Sequence, residues 1–421
     1  MNFRDLHHNL KLRIGVGFFQ RFFDIMLVPL MVIHFSHLYG AATAGLMTLV
    51  VAFVAVTCNL VGGHLSDVYG RRRVLLLGEI GSCLSFAGLA LANSPLLHSG
   101  PATYLLYLCA AAMGGLAIPA NEAMIVDVST PESRAAVYTI NYWVVNLAFM
   151  LGSLVGGFLY GGYFFQLLAA ASAATLGISL VTFFALSETR PAEAAQNPRG
   201  VKSALVGYLS VSRDRVFLRL VLAALLVWSI GVQISSYLAV RFGTGFAPQR
   251  LLSFGSWSLT VDGVNLLGIL RAVDTLLVVC FALWVGKLLG KYSEQARLIL
   301  GVALFTLGYV VWAVGSNAWV LILATFVVTL GEIMSLPVKQ ALLADLVPTD
   351  ARTKYLAAYG LHVRTGQMVG SLSVILGSVA PTWVMGLLYV LFGAMAIHLY
   401  RYLFRMREAR AVAARRTEVP V

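Results

Sequence analysis

Several ionisable side chains stand inside long apolar stretches of this sequence, where an unbalanced charge is costly. Such residues normally face an opposite charge or a water-filled cavity, and they mark ion, proton or substrate pathways. The sequence therefore predicts that charge is bound or moved inside a membrane. The residues are Arg21, Asp24, Glu79, Glu122, Arg271, Asp274, Glu332, Lys339 and Arg364.

Two acid–base pairs occur at the spacing of neighbours on one helix face. Arg21 and Asp24 lie three residues apart, and Arg271 and Asp274 repeat that spacing. Each pair is either a structural ion pair that neutralises itself, or a proton or substrate site that is neutralised in one state only. Both interpretations stay open at the level of the sequence.

Two further acids lack a partner at that spacing. Glu332 has no cation three or four residues away in either direction. An isolated carboxylate in a low-dielectric site favours its protonated form, as a proton-coupling group requires. The alternative is a protonated acid that only donates to a backbone carbonyl. Glu122 is similar but lies nearer the end of its stretch, and Arg364 could balance its charge or bind an anionic substrate.

Aromatic and polar side chains close to these charges form a candidate cavity wall. Aromatic residues of apolar helices also serve in packing and in interfacial belts, which is the alternative here. The candidate wall consists of Tyr142, Trp143, Asn146, Trp228, Gln233 and Tyr237.

The chain that carries these residues has the composition of a membrane protein. Of its 421 residues, 59% are apolar and 11% are charged, whereas a soluble domain has about a quarter charged residues. Apolar stretches of about 20 residues, the length that crosses a bilayer as a helix, recur along the chain. They predict twelve spans, numbered 1 to 12 in order: 14–36, 42–65, 74–94, 102–126, 136–160, 163–187, 215–240, 264–288, 297–315, 318–344, 355–378 and 382–404.

Lysine and arginine are distributed unevenly between the predicted loops. The N-terminal segment, the loops after even-numbered spans and the basic tail carry most of them, while the opposite loops carry only Arg241 and Arg250. Positive loops stay on the cytoplasmic side. We therefore expect both termini in the cytoplasm and the chain in the cell membrane.

The two halves of the chain are related by one constant offset along the sequence. Repeats of this kind build many secondary transporters. The offset superposes Pro119 on Pro337, Ala123 on Ala341, Asp127 on Asp345, Arg134 on Arg352 and Gly152 on Gly370. The predicted domains are a six-helix bundle at 1–187, a cytoplasmic linker at 188–214, a second six-helix bundle at 215–405 and a basic tail at 406–421.

The loop between spans 2 and 3 reads GGHLSDVYGRRR. It resembles the signature loop of the major facilitator superfamily. A degenerate copy of the loop, a worn copy, occurs at 286–297 and has Gly290 in the position of Asp67. The resemblance implies an all-α membrane fold of twelve transmembrane helices in two pseudo-symmetric six-helix bundles. The family's positions are occupied by Gly63, Leu65, Asp67, Gly70, Arg71 and Arg72.

The same resemblance implies a conformational role for this loop. Asp67, Arg71 and Asp127 would form a charge latch between spans 2, 4 and 11 that holds the outward-open state. The alternative is that the arginines only set the topology. In this superfamily spans 1, 4, 7 and 10 line the central cavity, which would place Asp24 and Glu332 beside it.

Three segments are similar to LmrP-type multidrug/proton antiporters: NEAMIVD, YTINYWVVNL and TLGEIMSLPVKQ. The similarity implies that Asp67, Asp127 and Glu332 are protonatable switch residues. The stretch GSLVGG at 152–157 resembles the antiporter motif without its proline, which favours export. The chain departs from that group where Asn141, Ser235, Ser236 and Gly393 replace its acids, so its proton stoichiometry is expected to differ.

The first functional prediction is a proton-coupled antiporter that exports amphipathic or drug-like compounds. It would work as a monomer in the bilayer, driven by the proton gradient, with no metal, cofactor or nucleic acid. Asp24, Glu122 and Glu332 would carry protons or substrate. The second prediction is a transporter of one anionic metabolite, siderophore or lipid, selected by arginines, and the third is a receptor or assembly factor that does not transport. The arginines are Arg21, Arg271 and Arg364.

Overall fold

A computed structural model describes most of the chain. Most of the predicted linker, 190–210, and the end of the predicted tail, 418–421, lie outside the described residues. The described residues are 8–128, 131–189, 211, 213–255, 257–348 and 352–417.

Long helices build the first half of the chain. They are α1 (His8–Tyr39), α2 (Ala41–Tyr69), α3 (Arg71–Ala92), α4 (Gly100–Val128) and α5 (Pro131–Ala185). Helix α5 covers predicted spans 5 and 6, and it is interrupted at Tyr163, whose φ of −131° and ψ of 27° are not helical. The two spans therefore follow each other through a kink instead of a loop.

The second half begins where Asp214 accepts hydrogen bonds from the backbone N–H groups of Val216 and Phe217, both at 3.0 Å. This is an N-cap, which satisfies helix N–H groups that have no partner within the helix. The elements that follow are α6 (Arg215–Gly231), a 3₁₀ turn (Val232–Ser235), α7 (Tyr237–Gly245), β1 (Gln249–Phe254), β2 (Trp257–Val261), α8 (Gly263–Leu288), a 3₁₀ turn (Leu289–Lys291), α9 (Glu294–Val314), α10 (Ala318–Leu346), α11 (Arg352–Val379) and α12 (Thr382–Thr417).

Predicted span 7, at 215–240, is not one continuous helix. Helix α6 ends at Gly231, and α7 starts only after the 3₁₀ turn. In this turn the amide of Gln233 donates to a backbone carbonyl at 2.8 Å, and the hydroxyl of Ser236 donates to another at 3.1 Å. Side chains that bond the nearby backbone in this way can bend a helix.

A β-hairpin that the sequence did not predict follows α7. Strands β1 and β2 are antiparallel and pair from Gln249 with Val261 to Phe254 with Trp257. The turn contains Gly255 at a φ of +59°, which glycine adopts at little cost. The hairpin lies in a predicted loop, so it leaves the membrane-spanning part helical.

Ten segments of the described residues are long and apolar enough to cross a membrane. One of them, Ile140–Ala185, has 46 residues and contains the kink in α5, whereas α11 is not among them. The predicted class of a multi-pass α-helical membrane protein is therefore confirmed. The count of twelve spans and the arrangement in two bundles stay predictions.

The chain forms two compact units. Unit 1 comprises Met1–Ala204 and Ala239–Thr275, and unit 2 comprises Leu205–Leu238 and Leu276–Val421. In unit 1, α4 packs against α2 and α3, while α5 packs against α1 and α3. In unit 2, α9 packs against α10 and α12, while α6 packs against α11 and α12. The predicted domain boundaries in the sequence stay a prediction.

Candidate functional site

The turn between α2 and α3 positions the first group of predicted site residues. Gly70 has a φ of +99°, a conformation that favours glycine. Immediately after it, the guanidinium of Arg71 forms an ion pair with the carboxylate of Asp127 near the end of α4. The two side chains are largely buried, with 12% and 13% of their surface exposed. The structure thus brings two predicted gating residues into direct contact.

The other residues of the signature loop lie apart from this ion pair. Arg72 turns towards the last turn of α5, where its Nε donates to the carbonyl of Thr182 at 3.4 Å and its Nη2 to that of Phe183. A cation suits the negative end of a helix. Gly63 and Asp67 lie partly buried in α2.

Glu188 and Thr189, which sequence reasoning missed, complete the group around this turn. The Glu188 carboxylate accepts hydrogen bonds from the backbone N–H groups of Arg71 and Arg72, both at 3.1 Å. The hydroxyl of Thr189 donates to Asp127 at 3.1 Å. Both residues were predicted as the start of a linker, and no local motif marks them as partners of a loop more than a hundred residues earlier.

On α1, Arg21 and Asp24 lie close enough to interact electrostatically. The carboxylate of Asp24 interacts electrostatically with Arg21 and with the phenol group of Tyr107 on α4. Arg21 and Asp24 are both exposed on the protein surface. Tyr107 is an additional candidate that sequence reasoning missed.

A second charged group lies inside unit 1. Arg13, predicted as a topology-setting charge in front of span 1, is instead in α1 and only 2% exposed. Its Nη2 donates to the sulfur of Met124 at 2.8 Å. It interacts electrostatically with Glu79 of α3, which is equally buried and accepts a hydrogen bond from Gln20 at 3.3 Å. Glu79 and Arg13 therefore belong to the interior of the helix bundle.

In unit 2, Glu332 is not the isolated carboxylate that the sequence indicated. It is partly buried in α10 and interacts electrostatically with Lys339, seven residues later in the same helix. Seven residues are close to two full turns, so the two side chains share one face. The sequence criterion covered only one turn in each direction and therefore missed this cation.

His362 of α11 joins this group and was not predicted. It interacts electrostatically with Lys339, and its Nδ1 lies 2.5 Å from the carbonyl oxygen of Tyr359. A carbonyl can only accept, so Nδ1 carries the proton and Nε2 is the acceptor of the neutral ring. The ring also contacts Trp228 edge to face, with 5.9 Å between centroids. Trp228, a predicted wall residue, is 41% exposed.

The other predicted wall residues divide into two sets. Tyr142 and Trp143 on α5 are exposed, and the amide of Asn146 donates to the carbonyl of Tyr142 at 2.7 Å. Gln233 and Tyr237 are buried instead. The Gln233 amide donates to the hydroxyl of Ser373 in α11 at 3.0 Å, so this residue packs between helices and lines no open surface.

The glycine-rich stretch of α5 contacts α8 within unit 1. A Cβ on Gly157 would lie 3.0 Å from the Cα of Gly268, so the helix backbones meet closely at this point. The amide of Asn265 donates to the carbonyl of Gly157 at 2.9 Å. One turn further along α8, Arg271 lies over the ring of Phe149 at 5.5 Å. Asp274 and Arg364 are partly buried, and Glu122 is exposed.

A further ion-pair group lies where α9 begins and α10 ends. Arg407 of α12 donates to Glu294 at 2.6 Å through Nη1, and its Nη2 lies 2.7 Å from Asp345. The three side chains are about as exposed as buried, with 39%, 46% and 43% of their surface accessible. Arg407 was predicted only as part of a basic tail.

Comparison with known proteins gives the context of these sites. The sequence profile of the Major Facilitator Superfamily matches residues 14–308 and 262–420. The chain belongs to the major facilitator superfamily. The resemblance inferred from the signature loop is thereby confirmed, and the protein is a membrane transporter and not an enzyme.

Two relatives and one solved structure show the range within this superfamily. The chain is 28% identical over 425 residues to a "Na(+), Li(+), K(+)/H(+) antiporter" of Planococcus maritimus, which covers 98% of the chain and 100% of that protein. It is 25% identical over 359 residues to the tetracycline resistance protein, class C, of Escherichia coli, at 82% of both chains. The crystal structure of a peptide transporter POT in complex with sulfate has a TM-score of 0.73 at 18% identity, covering 97% of the chain and 96% of the other. The last likeness concerns the fold alone.

Proposed function

We propose that this major facilitator protein is a proton-coupled antiporter that exports amphipathic or drug-like compounds, cations among them, by alternating access. The observation that supports it most is the pair of Glu332 and Lys339 on one face of α10. Inside a membrane, the negative carboxylate and the positive ammonium group compensate each other's charge. If the carboxylate binds a proton or a cation, the net charge of the pair changes. Proton and substrate therefore compete for one carboxylate.

This competition is the physical basis of exchange. When a proton binds Glu332, its carboxylate becomes neutral and Lys339 is left as an uncompensated cation, which disfavours a bound organic cation. When the proton leaves, the carboxylate can pair with substrate. A two-state transporter converts this alternation into antiport if each form of Glu332 favours a different conformation.

The surroundings of Lys339 suit an amphipathic compound. Trp228 presents an exposed indole, and an aromatic face attracts organic cations. Next to it, Nε2 of His362 can accept a hydrogen bond from an ammonium or hydroxyl group of the substrate. These residues would supply the substrate contacts on the unit 2 side.

In unit 1, Asp24 with Arg21 is the corresponding exposed charge pair, and we assign it a second proton or substrate role. Arg71 and Asp127 would act as the conformational latch. Twelve spans, with α5 counted as two, α6 and α7 counted as one and α11 included, would place both termini in the cytoplasm of a cell-membrane protein. The proton gradient would be the energy source, without a cofactor, and the chain would act as a monomer.

A second candidate function is the exchange of monovalent metal cations for protons. The full-length similarity to the cation/proton antiporter of Planococcus maritimus favours it. The same carboxylate of Glu332 would then bind a metal cation in place of an organic one. The two functions are compatible in one protein, because both require a cation and a proton to exclude each other.

The test is proton flux in proteoliposomes that contain the purified protein. The panel comprises sodium, potassium, a lipophilic phosphonium, tetracycline and an anionic dipeptide, each added to wild type and to Glu332→Gln. We expect proton release into the external medium with cationic compounds and its loss in the variant. Thr325→Ser is the matched control, because Thr325 is a buried polar residue two turns earlier in α10 whose hydroxyl bonds only the carbonyl of Leu321.

The panel also separates the alternatives. Flux with sodium or potassium alone would support exchange of metal cations for protons. Flux with the phosphonium and tetracycline would support export of organic compounds. Flux with the dipeptide alone, or flux that Glu332→Gln leaves intact, contradicts the proposal and favours a transporter of anionic metabolites that depends on arginine. No flux with any compound favours the receptor or assembly factor.

A further inference from the structure

The segment that follows α5, residues 186–189, is bound to the turn between α2 and α3. Leu186 is 3% exposed and packs in an apolar cluster with Val74 and Leu75 of α3. Two residues later, the Glu188 carboxylate accepts from the N–H groups of Arg71 and Arg72. We call residues 186–189 the strap. The strap is attached at one point by apolar packing and at another by hydrogen bonds.

The start of α3 requires an acid from elsewhere in the chain. Helix N-termini have unpaired N–H groups and a partial positive charge, and cations there are disfavoured. This helix nevertheless begins with Arg71, Arg72 and Arg73, and its own first turn contains no acid. Glu188 compensates for this arrangement, because its two oxygens bond the first two N–H groups and its charge opposes the helix dipole.

The strap also contacts the acid of the ion pair. The hydroxyl of Thr189 donates to Oδ2 of Asp127, and this oxygen is also the one that pairs with Arg71. The backbone N–H of Thr189 donates to Glu188 at 3.0 Å, so the two strap residues hold each other in place. Moving the strap would therefore remove partners from both members of the ion pair.

The second half of the chain repeats this contact. The constant offset between the halves, which superposes Asp127 on Asp345, also superposes Thr189 on Arg407. Nη2 of Arg407 contacts the carboxylate of Asp345 at 2.7 Å, and the hydroxyl of Thr189 contacts the carboxylate of Asp127 at 3.1 Å. Thr189, which follows α5, and Arg407, which lies within α12, thus each bond an acid near the end of an earlier helix of the same half, although the residue types differ.

We propose that Glu188 and Thr189 are positioning residues of the gating latch, and that the strap they belong to sets the strength of the Arg71–Asp127 pair. With the strap bound, α3 starts in the orientation that directs Arg71 to Asp127. With the strap released, three arginines face an uncompensated helix dipole and the latch weakens. This inference rests on the latch role proposed for Arg71 and Asp127, and it holds for either of the proposed substrates.

The test compares Glu188→Ala, Glu188→Gln, Thr189→Val and Thr189→Ser in the full chain. Hydrogen exchange, measured by mass spectrometry in detergent, reports on the N–H groups of residues 71–74. Because the loss of a helix cap typically shifts a local equilibrium about fivefold, exchange there is expected to rise about fivefold in Glu188→Ala. A smaller rise is expected in Glu188→Gln and Thr189→Val, and none in Thr189→Ser.

Transport kinetics provide the second readout. A positioning role predicts that Glu188→Ala and Thr189→Val change the maximal rate of uptake or exchange and leave the KM unchanged, while Thr189→Ser restores the rate. The matched control is Asp262→Ala, because Asp262 caps α8 in the same unit through the N–H of Asn265 at 2.7 Å. It should raise exchange at the start of α8 only.

Two results would overturn the inference. One is unchanged exchange at residues 71–74 in Glu188→Ala, since the strap would then not hold α3. The other is a change in KM alone, which would place these residues in substrate binding. Hydrogen exchange does not depend on which compound is transported, so a failure of the proposed substrate class and a failure of the strap remain distinguishable.

Discussion

The ends of the two halves that face the predicted cytoplasm use equivalent acids with different partners. In unit 1, Asp127 at the end of α4 meets Arg71, the first residue of α3. In unit 2, Asp345 at the end of α10 meets Arg407 of α12, which also reaches Glu294 in the first turn of α9. The cation thus comes from the third helix in one half and from the last helix in the other.

The difference in charge placement has an electrostatic consequence. Glu294 is an acid at the positive end of α9, which is favourable without any partner. Arg71 is a cation at the positive end of α3, which is unfavourable unless Asp127 and Glu188 remain in place. The ion pair of unit 1 is therefore conditional, as a gate requires, whereas the group in unit 2 is stable by itself and is expected to act as a brace.

The largest expected effect is the difference in transport rate between the Arg71→Ala and Arg407→Ala variants. Arg71→Ala leaves Asp127 largely buried without its partner, and breaking a buried pair is far more costly than breaking an exposed one. We expect the transport rate in proteoliposomes to fall about tenfold or more in Arg71→Ala and about twofold in Arg407→Ala. Arg71→Lys, which keeps the charge but not the planar group, should lie between wild type and Arg71→Ala. Equal losses in both alanine variants would contradict the distinction between gate and brace.

A medium effect is expected from replacing the glycine in one of two turns, Gly70 before α3 or Gly290 before α9. Gly70 has a φ of +99°, and a Cβ added to it would lie 2.7 Å from a carboxylate oxygen of Glu188. Gly290, in the turn before α9, has no atom within 4 Å of such a Cβ. Gly70→Ala should therefore lower thermal stability in detergent by about 1 kcal/mol or more and slow transport, while Gly290→Ala should be neutral. A harmless Gly70→Ala would show that the turn can adapt without loss of the cap.

The residues of the Arg71–Asp127 ion pair, the proposed gate of unit 1, could be predicted because a short local pattern and a family resemblance point to them. The signature loop places glycine and arginine at fixed spacing between two spans, and the resemblance to the major facilitator superfamily implied Asp127 as a partner of Arg71. The helical membrane class followed equally well from composition, because lipid exposure over such lengths permits few other structures.

What could not be predicted depends on contacts between distant residues. Glu188 and Arg407 lie beyond the ends of predicted spans, where a charged residue usually sets topology or faces water. Arg71, a partner of Glu188, and Glu294, a partner of Arg407, are each more than a hundred residues away, and no local periodicity encodes such pairs. Arg13 was assigned to a loop for the same reason, since an arginine beside the first apolar stretch normally stays outside it. Lys339 was missed because the search for partners of Glu332 stopped after one helical turn.

The smallest expected effect tests the brace itself. Glu294 is 46% exposed, and after its removal Arg407 keeps Asp345 as a partner. Exposed ion pairs contribute about 0 to 1 kcal/mol and are screened by salt, so Glu294→Gln should change thermal stability by about 0.5 kcal/mol or less and leave transport unchanged. Raising the ionic strength from low to high should abolish even this difference. Thermal unfolding of wild type, Glu294→Gln, Arg407→Ala and the double variant at both salt concentrations measures the coupling directly. A coupling that persists at high salt would mean that the unit 2 group is more rigid than its exposure indicates, and the ion-pair groups of both units would then qualify as gates.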